Sequence, residues 1–227
     1  MTTTKMAAIQ RRMEALLRRH AAATAATLTG LLPVRLTMGK LYEALVLSRV
    51  AEDLATKEGC TLKLVGGKVL YLKTKGGPLN RNYPYIQVYR KGAVIGELWT
   101  DVEFLSMSYC RTRLGQTPKD GDYHELDVVL IDPGLPTGIR PSYNQLTLAV
   151  ECKATAYEKE LLRSILGVRR ELSLLCDPNP TSFSRWPATK VPADPSSCIL
   201  VFSTDPKVTA YQPVGDFYGI EFVHEPM

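Results

Sequence analysis

Two apolar runs that each contain a carboxylate constrain the fold of this chain most. Residues 125–131 read ELDVVLI and contain Asp127, and residues 146–153 read LTLAVECK and contain Glu151 and Lys153. Short runs rich in β-branched residues predict strands with a buried face. A carboxylate in such a strand is costly unless something pairs with it. The runs therefore predict adjacent antiparallel strands whose carboxylates share a hard cation, such as Mg²⁺, which takes oxygen ligands.

Asp127 and the Glu-Cys-Lys triplet at 151–153 resemble the signature of the PD-(D/E)xK nuclease superfamily, although Leu126 stands where that signature has proline. The resemblance covers roughly residues 38–197. Over that range the sequence can be read in the superfamily order of helix, three-stranded meander, helix and strand. It implies an α/β, restriction-endonuclease-like core in which a central mixed β-sheet is flanked by helices.

The resemblance also implies roles for individual residues. Asp127 and Glu151 would bind Mg²⁺, with Mn²⁺ as a substitute, and the backbone carbonyl of Cys152 would be a further ligand. Lys153 would position or activate the attacking water, and Glu43 on the first core helix would complete the catalytic set. The implied activity is that of a Mg²⁺-dependent endonuclease that hydrolyses phosphodiester bonds, with DNA favoured over RNA. Bacterial restriction or antiphage defence is the setting that the family suggests.

A helix predicted over residues 38–58 places Glu43 within an apolar stripe. Thr37 is the expected N-cap, and Gly59 is expected to end the helix. Four apolar residues fall on the same helical face as Glu43: Val46, Leu47, Val50 and Leu54. A carboxylate there needs either a lysine or arginine partner or a place in the proposed metal site. We favour the metal site, because the strand carboxylates give Glu43 a group to point towards.

Residues 61–107 are predicted to form β-strands, with hairpin turns at 66–67 and 91–92. The last run places four residues on one side: Glu97, Trp99, Asp101 and Glu103. Asp101 and Glu103 are additional site candidates, although a solvated sheet face is the preferred interpretation of that side.

Basic residues in two segments beside the proposed site are candidates for phosphate contacts. They are Arg111 and Arg113 in a polar loop, and Lys159, Arg163 and Arg170 on a helix that is expected from a capping box at Thr155 to about Leu175. A solvated loop and a solvated helix face are the alternative explanations. The Pro- and Gly-rich loop 132–145 is a candidate substrate-contacting flap. A net charge of +5 is compatible with nucleic acid as the partner.

The length of 227 residues predicts one domain, 34–227, preceded by a basic helical arm, 1–33. The arm is interpreted as a segment that docks on its own domain or on a partner, in a homo-oligomer or a complex with another protein. No apolar run reaches ~20 residues, so no membrane-spanning helix is expected. Five widely spaced cysteines without a CxxC pair predict a reduced, cytoplasmic protein without a zinc site.

Two other interpretations stay open at this point. The chain could be a nuclease-fold subunit with a silent site that binds nucleic acid or assembles a complex. Alternatively, Asp127, Glu151 and Lys153 could form a structural ion-pair cluster in an unrelated mixed sheet. Metal-dependent cleavage of DNA separates both from the nuclease interpretation.

Overall fold

The computed structural model describes residues 37–66, 72–73 and 75–227, together with eight helical residues between positions 7 and 19. Most of the predicted arm and the second residue of the predicted 66–67 turn lie outside the described residues. Within the arm, the guanidinium of Arg12 lies 3.1 Å from the carboxylate of Glu225. Among the described residues, no helix is long and apolar enough to cross a membrane.

The domain is a seven-stranded mixed sheet with helices on both faces. In chain order its elements are α1 (Met38–Thr56), β1 (Thr61–Val65), β2 (Tyr85–Arg90), β3 (Ala93–Leu105), α2 (Met107–Thr112), β4 (Tyr123–Ile131), β5 (Leu146–Lys153), α3 (Lys159–Leu172), β6 (Leu174–Pro180), β7 (Lys190–Asp194), β8 (Cys198–Ser203), α4 (Gln212–Tyr218) and β9 (Ile220–His224). The strand order is β1-β2-β3-β4-β5-β8-β9, while β6 and β7 pair separately. The pairs from β1 to β5 are antiparallel, and β8 and β9 add in parallel. The predicted α/β class with a central mixed sheet flanked by helices is confirmed at this level.

Strands β4 and β5 are adjacent and antiparallel, as the two apolar runs predict. Their paired register runs from Ile131 opposite Leu146 to Val128 opposite Val150. Asp127 and Glu151 are the next residues beyond this last pair. The two acidic residues therefore lie where the regular pairing of β4 and β5 ends.

Helix α1 has the predicted start and covers one face of the sheet. The Thr37 side chain accepts a hydrogen bond from the backbone N–H of Lys40, and Gly59, at φ +66°, follows the helix. The apolar stripe of α1 packs against Val128, Val150 and other residues of the sheet. Helix α3 packs on the opposite face. The sheet is therefore the middle layer of the core, and its central strands have little contact with solvent.

The β2–β3 connection is the predicted two-residue turn, in which Lys91 and Gly92 have φ values of +51° and +83°. The expectation of a solvated face on β3 is wrong. Glu97, Trp99 and Asp101 are only 1%, 2% and 0% exposed. Strand β3 lies between β2 and β4 in a sheet that is covered on both faces, so its middle residues are shielded from water.

Helix α3 begins at Lys159 with Glu158 as N-cap, four residues after the predicted start at Thr155. The carboxylate of Asp205 accepts a hydrogen bond from the backbone N–H of Tyr157 at 2.9 Å and holds this stretch outside the helix. The helix also ends earlier than predicted, at Leu172, because the following residues enter β6. The positions of Lys159, Arg163 and Arg170 on this helix are unaffected.

Candidate functional site

Asp127 is held at the point where β4 and β5 separate. Its Oδ2 accepts a hydrogen bond of 2.6 Å from the backbone N–H of Cys152. The Asp127 carboxylate therefore accepts the hydrogen bond that a backbone carbonyl of β4 would accept if the pairing continued beyond Val128 and Val150. Burial raises the pKa of Asp127 above its ordinary value, because a buried carboxylate loses its hydration. The N–H of Cys152 fixes the orientation of this carboxylate.

Three carboxylates from three elements converge beside this fork. Glu43 of α1, Asp101 of β3 and Asp127 of β4 each offer an oxygen, and these oxygens lie within 4.8 Å of one another. Hard cations such as Mg²⁺ and Ca²⁺ bind oxygen ligands of this kind. We call this set the carboxylate triad. The structure therefore brings Glu43 together with Asp127, while Glu151 is not a member of the triad.

Asp101 enters the triad through an unusual backbone conformation. The register of Thr100 with Val128 and of Val102 with Leu126 places Asp101 opposite Asp127. Its φ of +52° lies in the left-handed region, which Asp tolerates better than most residues. Trp99 and Val102 pack into the same core layer, so the alternation of β3 shifts by one residue at this point. Strict alternation does not reveal such a shift, so the sequence does not place Asp101 beside Asp127.

Lys40 is the cation that contacts the triad, and sequence reasoning missed it. Its Nζ lies 2.7 Å from Oε2 of Glu43 and also contacts Oδ1 of Asp101. The i,i+3 spacing of Lys40 and Glu43 on a helix is the signal that could have identified the pair. Glu43 therefore has the lysine partner that one interpretation expects, and it also lies beside Asp127. Its place in a metal site stays a prediction.

Burial sets the pKa values of the triad. It raises the pKa of Glu43 to about 7, against the opposing effect of the hydrogen bond from Lys40. Burial likewise raises the pKa of Asp101. Burial alone would lower the pKa of Lys40, but its hydrogen bonds to Asp101 and Glu43 outweigh that effect and raise it. The raised pKa values of Glu43 and Asp101 are those expected of carboxylates that lie close together with little water around them.

Glu151 and Lys153 form an ion pair on the other side of β5. Lys153 Nζ lies 2.9 Å from Glu151 Oε2. Both side chains line a small pocket next to Tyr157 and Ile165, on the α3 side of the sheet. Burial raises the pKa of Glu151 to about 7, and the charge of Asp127 adds to the shift. The pair is thus electrostatically linked to Asp127.

Cys152 lies between Glu151 and Lys153 along β5, and its side chain faces the other way. Its side chain packs with the α1 core layer, and burial raises the pKa of its thiol well above the ordinary value. Its register partner is Phe202 of β8. The role of its backbone carbonyl as a metal ligand stays a prediction.

Lys73 is a second cation near the triad that sequence reasoning missed. Its Nζ donates a 3.0 Å hydrogen bond to the backbone carbonyl of Asp101, and the side chain is largely buried. Burial lowers the pKa of Lys73, since it disfavours the charged ammonium. The bond fixes the backbone of Asp101 at its left-handed position.

The predicted phosphate-contacting residues have different environments. Lys159, Arg163 and Arg170 are exposed along α3, and Arg163 has only a 3.8 Å contact with the exposed Glu160. Arg111 is exposed, with Nε 3.5 Å from the Tyr143 hydroxyl. Arg113 contacts the buried carboxylate of Asp122, so it anchors its own loop. The exposed residues on α3 are therefore better placed than Arg113 to meet a polyanion.

Comparison with protein-family models, curated proteins and solved structures found no match to this chain.

Proposed function

We propose that this protein is a metal-dependent nuclease with a PD-(D/E)xK-like core that hydrolyses phosphodiester bonds, with DNA as its substrate. One observation carries the proposal. Asp127 lies at the β4–β5 fork, hydrogen-bonded to Cys152 of the Glu-Cys-Lys triplet and beside Glu43 of α1. The order α1, β3-β4-β5, α3, β8 supports it, because it follows the order of elements that the resemblance implies.

The carboxylates fit a divalent cation by their chemistry. They are hard oxygen donors, and Oδ2 of the fully buried Asp101 has no hydrogen-bond partner among the described residues. Asp127 and Glu43 would hold the ion, with Glu151 as the further acidic residue beyond the fork. A bound ion would neutralise charge on the phosphoryl oxygens and lower the pKa of the attacking water.

Lys153 supplies a positive charge beside the same fork. Its ammonium pairs with Glu151, and the Lys153 side chain is 32% exposed, so it can be reached from solvent. In the proposed reaction this ammonium orients the water and stabilises the negative charge that develops on the phosphoryl group. Exposed cations of α3, which follows β5 in the chain, would bind the neighbouring phosphates.

A binding or assembly subunit with a silent site is the second candidate, and one observation favours it. The carboxylates already have partners within the protein: Glu151 has Lys153, Glu43 has Lys40, and Asp127 has the N–H of Cys152. A purely structural cluster would show the same pairs.

A cleavage assay tests the proposal. Supercoiled plasmid, single-stranded DNA and single-stranded RNA are incubated with the protein in Mg²⁺, in Mn²⁺ or in EDTA, with Asp127→Asn as the control. The proposal predicts cleavage of DNA in Mg²⁺ or Mn²⁺, none in EDTA, and none by Asp127→Asn. DNA binding without metal-dependent cleavage by the wild-type protein would favour the silent subunit instead.

A further inference from the structure

The carboxylate triad has the dimensions of a single-cation site. Two oxygens on opposite sides of one Mg²⁺ ion lie about 4.2 Å apart, since each bond is about 2.1 Å, and around Ca²⁺ the separation reaches about 5 Å. The oxygens of Glu43, Asp101 and Asp127 lie within 4.8 Å of one another. Small side-chain movements would therefore bring all three onto one ion.

Asp101 gives an independent sign that the triad suits a further ligand. Its side chain is completely buried, yet Oδ2 has no hydrogen-bond partner among the described residues. Buried polar atoms are nearly always satisfied, so an unpaired carboxylate oxygen at this point favours a cation or a water as its partner. Asp101 also holds a left-handed backbone conformation, with its carbonyl oxygen bound by Lys73.

Lys40 already provides one positive charge to this site. Its ammonium contacts both Glu43 and Asp101. Lys40 lies in the first turn of α1, where the helix dipole is unfavourable to a cation. The neighbouring carboxylates, and not the helix, therefore stabilise its charge. One ammonium leaves three carboxylates incompletely neutralised. A lysine has a flexible stem, and the Lys40 side chain is 15% exposed, so it has a route to solvent.

We infer that Glu43, Asp101 and Asp127 form the cation site, and that Lys40 is its resident counter-ion, which a divalent ion must displace in order to bind. The inference rests on the proposed function only in sharing its need for a metal. It adds Asp101 as a ligand from a third strand and makes Lys40 the residue that sets metal affinity. The ammonium of Lys40 contacts Oε2 of Glu43 and Oδ1 of Asp101, so Lys40 and a divalent ion would compete for the same two carboxylates.

Direct measurement of Mn²⁺ binding tests this inference without any nucleic acid. Free Mn²⁺ is followed by electron paramagnetic resonance for the wild type, Lys40→Met, Lys40→Gln and Asp101→Asn. Lys57→Met is the matched control, because it removes the same charge at the C-cap of the same helix, where Lys57 pairs with Asp53. Melting temperatures in EDTA and in Mn²⁺ establish that each variant folds.

Both Lys40 variants should bind Mn²⁺ at least about tenfold more tightly than the wild type. In the wild type, Mn²⁺ binds only the state in which Lys40 has left the carboxylate triad, and a population of this state of about 10% or less lowers the apparent affinity at least tenfold. Lys57→Met should match the wild type, and Asp101→Asn should lose saturable binding. Affinities of both Lys40 variants within about twofold of the wild type would overturn the counter-ion role. Unchanged binding by Asp101→Asn would overturn its role as a ligand.

Cleavage assays on the same proteins separate this inference from the nuclease proposal. If the Lys40 variants bind Mn²⁺ more tightly but no variant and no wild-type sample cleaves DNA, the nuclease proposal fails and the cation site stands. If the wild type cleaves DNA and the Lys40 and Asp101 variants bind Mn²⁺ as it does, the cation site is wrong and the nuclease proposal stands.

Discussion

At the scale of single residues, the buried acids connect the site to the pH dependence of stability. Burial raises the pKa of Glu43 from 4.5 to about 7. Between these values the folded protein binds the proton more tightly than the unfolded chain, so the free energy of unfolding falls as pH rises through this window. The complete shift corresponds to at most about 3.4 kcal/mol. Glu151 has a pKa shift in the same direction and adds to the effect.

Glu43→Gln should therefore be as stable as the wild type at pH 8, or more stable, and its free energy of unfolding should change less between pH 5 and pH 8. The amide carries no charge to desolvate and can still accept a hydrogen bond from Lys40. Urea unfolding in EDTA at the two pH values measures both effects. An equal pH dependence in the wild type and the variant would show that folding does not raise the pKa of Glu43. The nuclease proposal further expects this variant to cleave more slowly.

The sequence revealed some site residues and concealed others for identifiable reasons. Glu43 and Asp127 stood out because each is a carboxylate in an apolar pattern, and that pattern survives folding. Asp101 was concealed by a left-handed φ that turns its side chain away from the side that alternation assigns. In sequence, Lys40 and Lys73 do not differ from ordinary surface lysines, and only the tertiary structure brings them into contact with Asp101.

At the scale of elements, the loop 132–145 is fastened to the sheet, which limits its use as a flap. Arg81 pairs with the buried Glu97 at 2.9 Å and donates to the carbonyl of Leu135 at 2.8 Å. The other Glu97 oxygen accepts a hydrogen bond from the backbone N–H of Gly134. One buried carboxylate and one arginine thus hold the first part of the loop.

Arg81→Met should lower the free energy of unfolding by about 3–5 kcal/mol, because it leaves Glu97 buried without its cation. Arg163→Met is the matched control and should change stability by less than about 0.5 kcal/mol, since its pair with Glu160 is exposed. Urea unfolding measures both, and hydrogen exchange should become faster in residues 133–139 of the first variant only. A cost below about 1 kcal/mol for Arg81→Met would mean that other contacts hold the loop.

The element boundaries that sequence predicted well are those set by local chemistry. The start of α1 follows from the Thr37 cap, and the strands β4 and β5 follow from their β-branched runs. The predicted start of α3 was wrong, because the carboxylate of Asp205, 48 residues after Tyr157, accepts a hydrogen bond from the backbone N–H of Tyr157. A competitor so distant in the chain has no signature in the local sequence.

At the scale of the whole molecule, the proposed nucleic-acid surface rests on exposed cations of α3. A variant in which Lys159, Arg163 and Arg170 are all alanine should bind DNA more weakly, and the slope of log affinity against log salt should decrease by about one for each residue that contacts a phosphate. The control replaces Lys63 and Lys91, two exposed lysines on β1 and the β2–β3 turn. Fluorescence anisotropy in Ca²⁺ over a range of salt concentrations measures both. Equal slopes of log affinity against log salt for the two variants would indicate that DNA does not bind along α3.

The central claim is that Asp127 and the Glu-Cys-Lys triplet form a catalytic site, and Lys153→Ala tests it most directly. Cleavage of plasmid and single-stranded DNA is measured in Mg²⁺, and binding is measured in Ca²⁺, for the wild type, Lys153→Ala and Asp127→Asn. We expect Lys153→Ala to fold, to bind DNA within a modest factor of the wild type and to lose most or all cleavage. We expect Asp127→Asn to bind metal more weakly as well. Cleavage at the wild-type rate by folded Lys153→Ala would contradict the claim and leave the binding subunit as the better explanation.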